Sequence, residues 1–181
     1  MGLLSRLFSR KQEEPPKPAE PVSTPSAKPS GPKTVRHTVA GTSYRQETIL
    51  AMGVKNPDYN LNKRELFKRW PDGVTVYEYT FSPKKAELVP EPDNPHDPKA
   101  IKVLIDGQHV GYIKAGSCAH IHKLLRENRI QSIVPQIIGG KSKALYSLDA
   151  DARRVEDYEL DKDSAPFGAR LEITELPPVT R

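Results

Sequence analysis

The chain has 181 residues, 36% of them hydrophobic and 28% charged, with 18 prolines and a mean hydropathy of −0.63. Those proportions describe one modest domain plus an unfolded extension. Lone Cys118 cannot close an intrachain disulfide, and no apolar run approaches the roughly 20 residues needed to span a bilayer, which excludes a disulfide-built scaffold and a helical membrane protein.

Charge is unevenly distributed. Residues 1–34 carry six basic and three acidic side chains, residues 35–143 carry 17 and 11, and residues 144–181 carry five and nine, giving the overall +5. A middle segment more basic than the whole suggests a polyanionic partner, although ordinary surfaces reach the same excess.

The first 34 residues read as a tail. Leu3, Leu4, Leu7 and Phe8 have helical spacing, with Arg6, Arg10 and Lys11 among the polar positions, so a short amphipathic helix is expected over 2–11. Residues 12–34 are rich in Pro, Lys, Glu and Ser and have too little apolar surface to offset the entropy of ordering; they read as a semi-stiff, disordered linker. Such a tail suits docking on a partner or a membrane surface. Arg6 interrupts any secretory core and stands where a myristoylation signal needs Ser or Thr, so a cytoplasmic location is expected.

From Val35 to the end, short apolar runs alternate with Gly, Pro, Asp and Asn, the texture of a small barrel or sandwich. Strands are expected over 36–40, 74–81, 86–90, 100–105, 109–114, 130–138, 144–148 and 170–175. One helix is expected over 63–69 after Asn62. A second is expected from about Ser117 to Asn128, burying Ile121, Leu124 and Leu125. The acidic stretch 149–168 reads either as a disordered loop or as an acidic lid. The clearest element is the hairpin 100–114, whose Asp106-Gly107 supplies the left-handed backbone of a tight turn. Its register is open. A two-residue loop puts Tyr112 on the face of Ile101 and Val103, whereas a three-residue loop with a bulge moves it beside Lys102.

The loop EPDNPHDP, residues 91–98, crowds Asp93, Asn94, His96 and Asp97 between three prolines. Asn94 and Asp97 each precede proline, and their side chains can simply cap local N–H groups; alternatively the loop is a rigid binding element. Metal binding by Cys118, His120 and His122 is disfavoured, because positions two apart on a helix diverge by about 200°. Cys118 has no base and orienting partner at a spacing that nucleophilic catalysis needs, and no convincing carboxylate pair is present. No enzyme, metal or cofactor is expected.

Three segments in order, HTVAGTSYRQ (37–46), EPDNPHDPKAIKV (91–103) and HVGYIK (109–114), resemble the HIRAN family, and the likeness covers about residues 35–148. The resemblance implies a small OB-like antiparallel β-barrel with two flanking helices, over 35–181, that binds single-stranded DNA and captures its free 3′ hydroxyl end without catalysis. By the same resemblance Tyr44 stacks on the terminal base, Asp97 accepts a hydrogen bond from the terminal hydroxyl, and Asn94 is a neighbouring polar contact. His96 and Arg45 stand where the eukaryotic module has tyrosines, and Tyr112 replaces a family histidine. Lys114 falls in a phosphate-contacting stretch and Tyr146 approximates a capping aromatic. Lys102, with Arg45, Lys99 and Lys114, would supply salt-dependent attraction. The implied setting is DNA repair or stalled replication, alongside helicase or nuclease partners. The competing expectation is a protein-interaction adaptor built on the barrel and the Pro-rich tail.

Overall fold

The computed structural model describes residues 31–178. The expected helix over 2–11 and most of the linker lie outside the described residues. The chain enters through β1 (Lys33–Ala40), makes a single turn of 3-10 helix at Thr42–Arg45, and continues into helix α1 (Gln46–Ala51). Strand β2 (Val54–Lys55) precedes helix α2 (Lys63–Arg69), which is followed by β3 (Val74–Tyr77), β4 (Tyr79–Thr80) and β5 (Ala86–Pro90). The hairpin β6 (Ile101–Ile105) and β7 (Gln108–Ile113) leads into helix α3 (Ala115–Arg126). Two 18-residue strands, β8 (Ile130–Ser147) and β9 (Tyr158–Glu175), complete the order.

Helix α2 starts where its sequence dictates. The Asn62 side chain accepts from the Glu65 amide at 3.1 Å while Glu65 accepts from the Asn62 amide at 2.7 Å, so both ends of the capping box are present. Helix α3 buries Ile121 and Leu124 of the expected stripe together with Cys118, while Leu125 is only half-buried. Helix α1 was not expected from sequence: only Ile49 of its six residues is buried, too little for a periodic signal.

The fold is mainly β and its main sheet antiparallel, but it is not a closed barrel. Seven strands run in the order β3-β8-β9-β1-β7-β6-β5, and the two terminal strands do not pair with each other. Closure would require β3 to meet β5. Instead β3 pairs with Ser142–Leu145, the part of β8 beyond the Gly139-Gly140 break, and packs on a second apolar cluster around Leu66, Val76, Leu145 and Tyr158. The larger core is built from β1, β5, β6, β7, α1, α3 and the second half of β9. The two sheet halves meet in β1, whose Lys33–Thr38 pair with β9 while Val39 and Ala40 pair with β7.

Three further expectations change. Segments 130–138 and 144–148 are one strand, and the segment expected over 74–81 is interrupted at Glu78. Within the acidic stretch, residues 158–168 are neither loop nor lid: they form the first half of β9, paired with β8 through contacts such as Lys143↔Lys162 and Tyr146↔Glu159. Polar residues on both faces hide this pairing from a period-two reading.

The β6–β7 hairpin resolves the open register. Asp106 (φ 47°) and Gly107 (φ 79°) make a two-residue turn, yet Leu104 pairs with His109 while Val103 pairs with Gly111. The extra residue, Val110, is a bulge, so Tyr112 comes opposite Lys102 rather than Ile101. Gly111 has φ 150°, and a Cβ there would lie far inside contact distance of the Ala40 carbonyl oxygen. Gly111→Ala therefore combines backbone strain with overpacking, and is expected to destabilise the domain by roughly 2–5 kcal/mol, read as a lower urea midpoint at unchanged m-value.

One polar group is buried without a partner: among the described residues only His37 Nε2 is orphaned in this way. Burial holds the His37 imidazole below its ordinary value, with Glu175 pulling upward and His120 adding to the depression. The unfolded chain then binds a proton more readily than the folded one. This contribution costs stability as pH falls below the ordinary histidine value of about 6.5 and is absent at higher pH. Urea unfolding between neutral and mildly acidic pH should show stability falling on acidification, and His37→Leu should flatten that slope.

Candidate functional site

The hairpin bulge creates a row across four strands, in which Ala40 pairs with Tyr112, Tyr112 with Lys102, and Lys102 with Val89. On this row the alternate residues Ile101, Val103 and Ile105 face the core, so Lys102 and Tyr112 stand on the outer face. Two irregular segments adjoin it: the 3-10 turn at Thr42–Arg45, which packs on β7, and the loop 91–100, closed by a bond from the Glu91 amide to the Ala100 carbonyl at 2.9 Å. The loop and Tyr112 enclose a groove of about 610 Å³ lined by Pro90–His96 and Tyr112.

The loop holds itself in shape. Asn94 Oδ1 accepts from the His96 amide at 3.0 Å and the Asp97 amide at 3.3 Å, while its Nδ2 donates to Glu91 Oε2 at 3.1 Å. Asp97 Oδ1 accepts from the Lys99 amide at 2.8 Å. The local-capping role anticipated for Asn94 and Asp97 is therefore present. For Asp97 it uses one carboxylate oxygen; Oδ2 has no donor among the described residues, and it is not a buried orphan.

Glu91 joins the groove to the strands. It forms an ion pair with Lys102, which holds its carboxyl below the usual carboxylate range, with further help from Asn94 and Tyr112. The same bond raises the Lys102 ammonium above its ordinary value, opposed by the nearby Arg45 cation. His109 sits edge-on to Tyr112 at 5.0 Å between ring centroids and bonds to the Gly111 carbonyl at 3.2 Å. Burial, then the Arg45 and Lys102 cations, hold its imidazole below the ordinary value. Lys102 thus bridges the acid on one side and the Arg45 and His109 neighbourhood on the other.

Of the residues singled out from sequence, Lys102, Tyr112 and Asn94 come together through Glu91, Arg45 lies near Lys102, and Asn94, His96 and Tyr112 line the same groove. Tyr44 projects from the adjoining turn at 87% exposure. Asp97 is not among the residues lining this groove; it follows them in the same loop and lies near enough to α3 to add to the raised pKa that burial gives Cys118. Lys114 is exposed at the position that starts α3. Tyr146 lies apart, on the β8–β9 arm beside the second cluster, where its hydroxyl donates to Glu159 at 2.9 Å. Glu91 and His109 were not among the sequence-predicted site residues. Glu91 follows β5 and meets Lys102 only because β5 pairs with β6, and chain spacing carries no such signal.

The histidines weighed as metal ligands have other partners. His120 bonds Glu175 at 2.9 Å, His122 bonds the Lys99 carbonyl at 3.0 Å, and Cys118 is buried. Among the described residues no group of three or more His, Cys, Asp or Glu side chains converges as a metal site, and no helix is long and apolar enough to cross a membrane.

The HIRAN domain family model matches residues 33–149, a span that contains the turn, the loop and the hairpin just described. The chain belongs to the HIRAN domain family. HIRAN domains are in general DNA-binding modules, typically non-catalytic. The family span stops before β9, although β9 pairs with β1 along Lys33–Thr38 and so completes the sheet that carries the site. No curated protein and no solved structure matches the chain.

For a DNA-binding HIRAN domain, the Glu91–Lys102 pair neutralises a cation at the groove. Glu91→Gln keeps an acceptor for Asn94 but releases Lys102. Fluorescence anisotropy with a single-stranded oligonucleotide should show tighter binding and a log–log salt slope steeper by about one unit.

Proposed function

We propose that this HIRAN domain binds single-stranded DNA at a free 3′ hydroxyl end and leaves chemistry to other proteins. Family membership supports DNA as the ligand; the observation that carries end selectivity is the Asp97 carboxylate, positioned through one oxygen by the Lys99 amide and open at the other. A carboxylate repels phosphates, so it favours a DNA ligand only where that ligand offers a donor, and a terminal sugar hydroxyl is one. Tyr44, almost fully exposed, offers its ring for stacking on the last base without reading base identity. Arg45 and Lys114 have no ion-pair partner among the described residues and are the better candidates for phosphate contact, whereas Lys102 is already paired. Tyr112 and His96 border the groove into which the penultimate nucleotide would extend. Tyr146 has no place in this reading. Free 3′ ends arise at damaged DNA and stalled forks, which is the setting, and helicases or nucleases are the partners that the reading entails.

The test is affinity for one oligonucleotide with a 3′ hydroxyl, with a 3′ phosphate, and circularised. A hydrogen bond to a charged acceptor contributes about 1.5–3 kcal/mol, so the hydroxyl end should bind at least about tenfold tighter than the blocked end. Asp97→Asn should bring the two to near equality. Tyr44→Ala should weaken all ends alike, by roughly 5- to 100-fold. Equal affinity of the unaltered protein for hydroxyl and phosphate ends would refute the role of Asp97.

A further inference from the structure

His109 and Tyr112 stand three positions apart in β7, and on a regular strand that spacing points two side chains to opposite faces. The bulge at Val110 cancels the reversal. His109 pairs with Leu104, which alternates with the core residues Val103 and Ile105, so its ring stands on the outer face with Tyr112, edge-on at 5.0 Å between centroids.

The two ring nitrogens have different surroundings. Nε2 meets the Gly111 carbonyl at 3.2 Å, and a carbonyl only accepts, so Nε2 carries the proton of the neutral imidazole. Nδ1 has no hydrogen-bond partner among the described residues. The side chain is half-buried, yet this atom is not a buried orphan, so it reaches solvent. The Gly111 bond and the Tyr112 edge already hold the ring, and little rotamer freedom remains to be lost when a ligand meets Nδ1.

The charges that act on the ring are Arg45 from the 3-10 turn, Lys102 from β6 and, in the opposite sense, Glu91 from the loop. Glu47 of α1 is exposed and does not bear on it, and Glu87 of β5, across Leu104, is paired with Lys85. Arg45 keeps its charge, Glu91 is held below the usual carboxylate range and Lys102 above the usual ammonium value, so none of the three changes charge between about pH 6 and 8. The imidazole is the member of this group that does.

We infer that His109 is a further DNA contact on this face, donating from protonated Nδ1 to a phosphate that Arg45 also faces, so that binding takes up a proton. The inference rests on the reading that this face binds single-stranded DNA, and adds to it a residue and a proton. In the free protein burial and two cations hold the imidazole below its ordinary value. A phosphate beside it raises that value in the complex. Affinity therefore falls as pH rises through the value in the complex, and becomes flat once the imidazole is neutral in both states.

Titration calorimetry of the full chain with a 3′-hydroxyl oligonucleotide, at about pH 6.5 in buffers of different ionisation enthalpy, counts the protons exchanged. The unaltered protein should take up a fraction of one proton. Its affinity should rise about three- to tenfold from pH 7.5 to 6, the gain expected when a nearby phosphate raises the imidazole by roughly one to two pH units, with circular dichroism showing a folded protein at both. His109→Gln keeps a donor for the Gly111 carbonyl but has no titrating nitrogen, so it should abolish the uptake and flatten the pH response. Binding without proton uptake, or uptake undiminished in His109→Gln, overturns the inference while leaving DNA binding in place; in the second case loss of uptake in His96→Gln assigns the proton to the histidine in the loop. Absence of binding at either pH overturns both readings.

Discussion

The bulge at Val110 is the constraint on which the outer face of the hairpin depends. Inserting one residue into β7 reverses the facing of everything after it, which is why Val110 and Gly111 are both buried and Tyr112 turns outward beside Lys102. The close approach of Ala40 to Gly111 then brings the end of β1 against the same place, so the turn carrying Tyr44 and Arg45 starts where the hairpin surface begins. Backbone geometry, more than any side-chain contact, joins two segments more than 50 residues apart in the chain.

Electrostatics at the groove are balanced. Lys102 pairs with Glu91, and Arg45 and His109 lie close by: the pair lowers the acid and raises the ammonium, while burial and the neighbouring cations lower the imidazole. Pairing Lys102 limits the bare positive charge, so nonspecific attraction to polyanions is moderated. Phosphate contacts are the same at every position of a strand, so the moderation applies along its whole length.

The β8–β9 arm gives the fold a second region with its own core. Beyond Gly139-Gly140 the two strands pack against α2 and β3 instead of α3, and Tyr158 anchors the junction by donating to the Pro71 carbonyl at 2.5 Å. This region keeps the sheet from closing and leaves β3 as an edge, which creates an aromatic groove there. The groove at the β3 edge draws on both cores: Trp70, Val74 and Val76 belong to the second cluster, whereas Phe81 and Ile137 pack against the first.

Local chemistry alone determined the α2 cap at Asn62 and Glu65, the apolar stripe of α3, the Asp106-Gly107 turn and the rigid character of the loop 91–98, because each depends on residues within one or two turns of chain. The motif strings also carried the family and its approximate span. Tertiary structure decided the rest. The bulge, the open sheet order, the polar half of β9 and the Glu91–Lys102 pair all arise from which strands lie side by side. Pairing energy is shared between segments far apart, and neither segment records it alone. The same reason separates Tyr146, close in the motif reading, from the groove it was expected to cap: position along β8 says nothing about which core that stretch of strand covers.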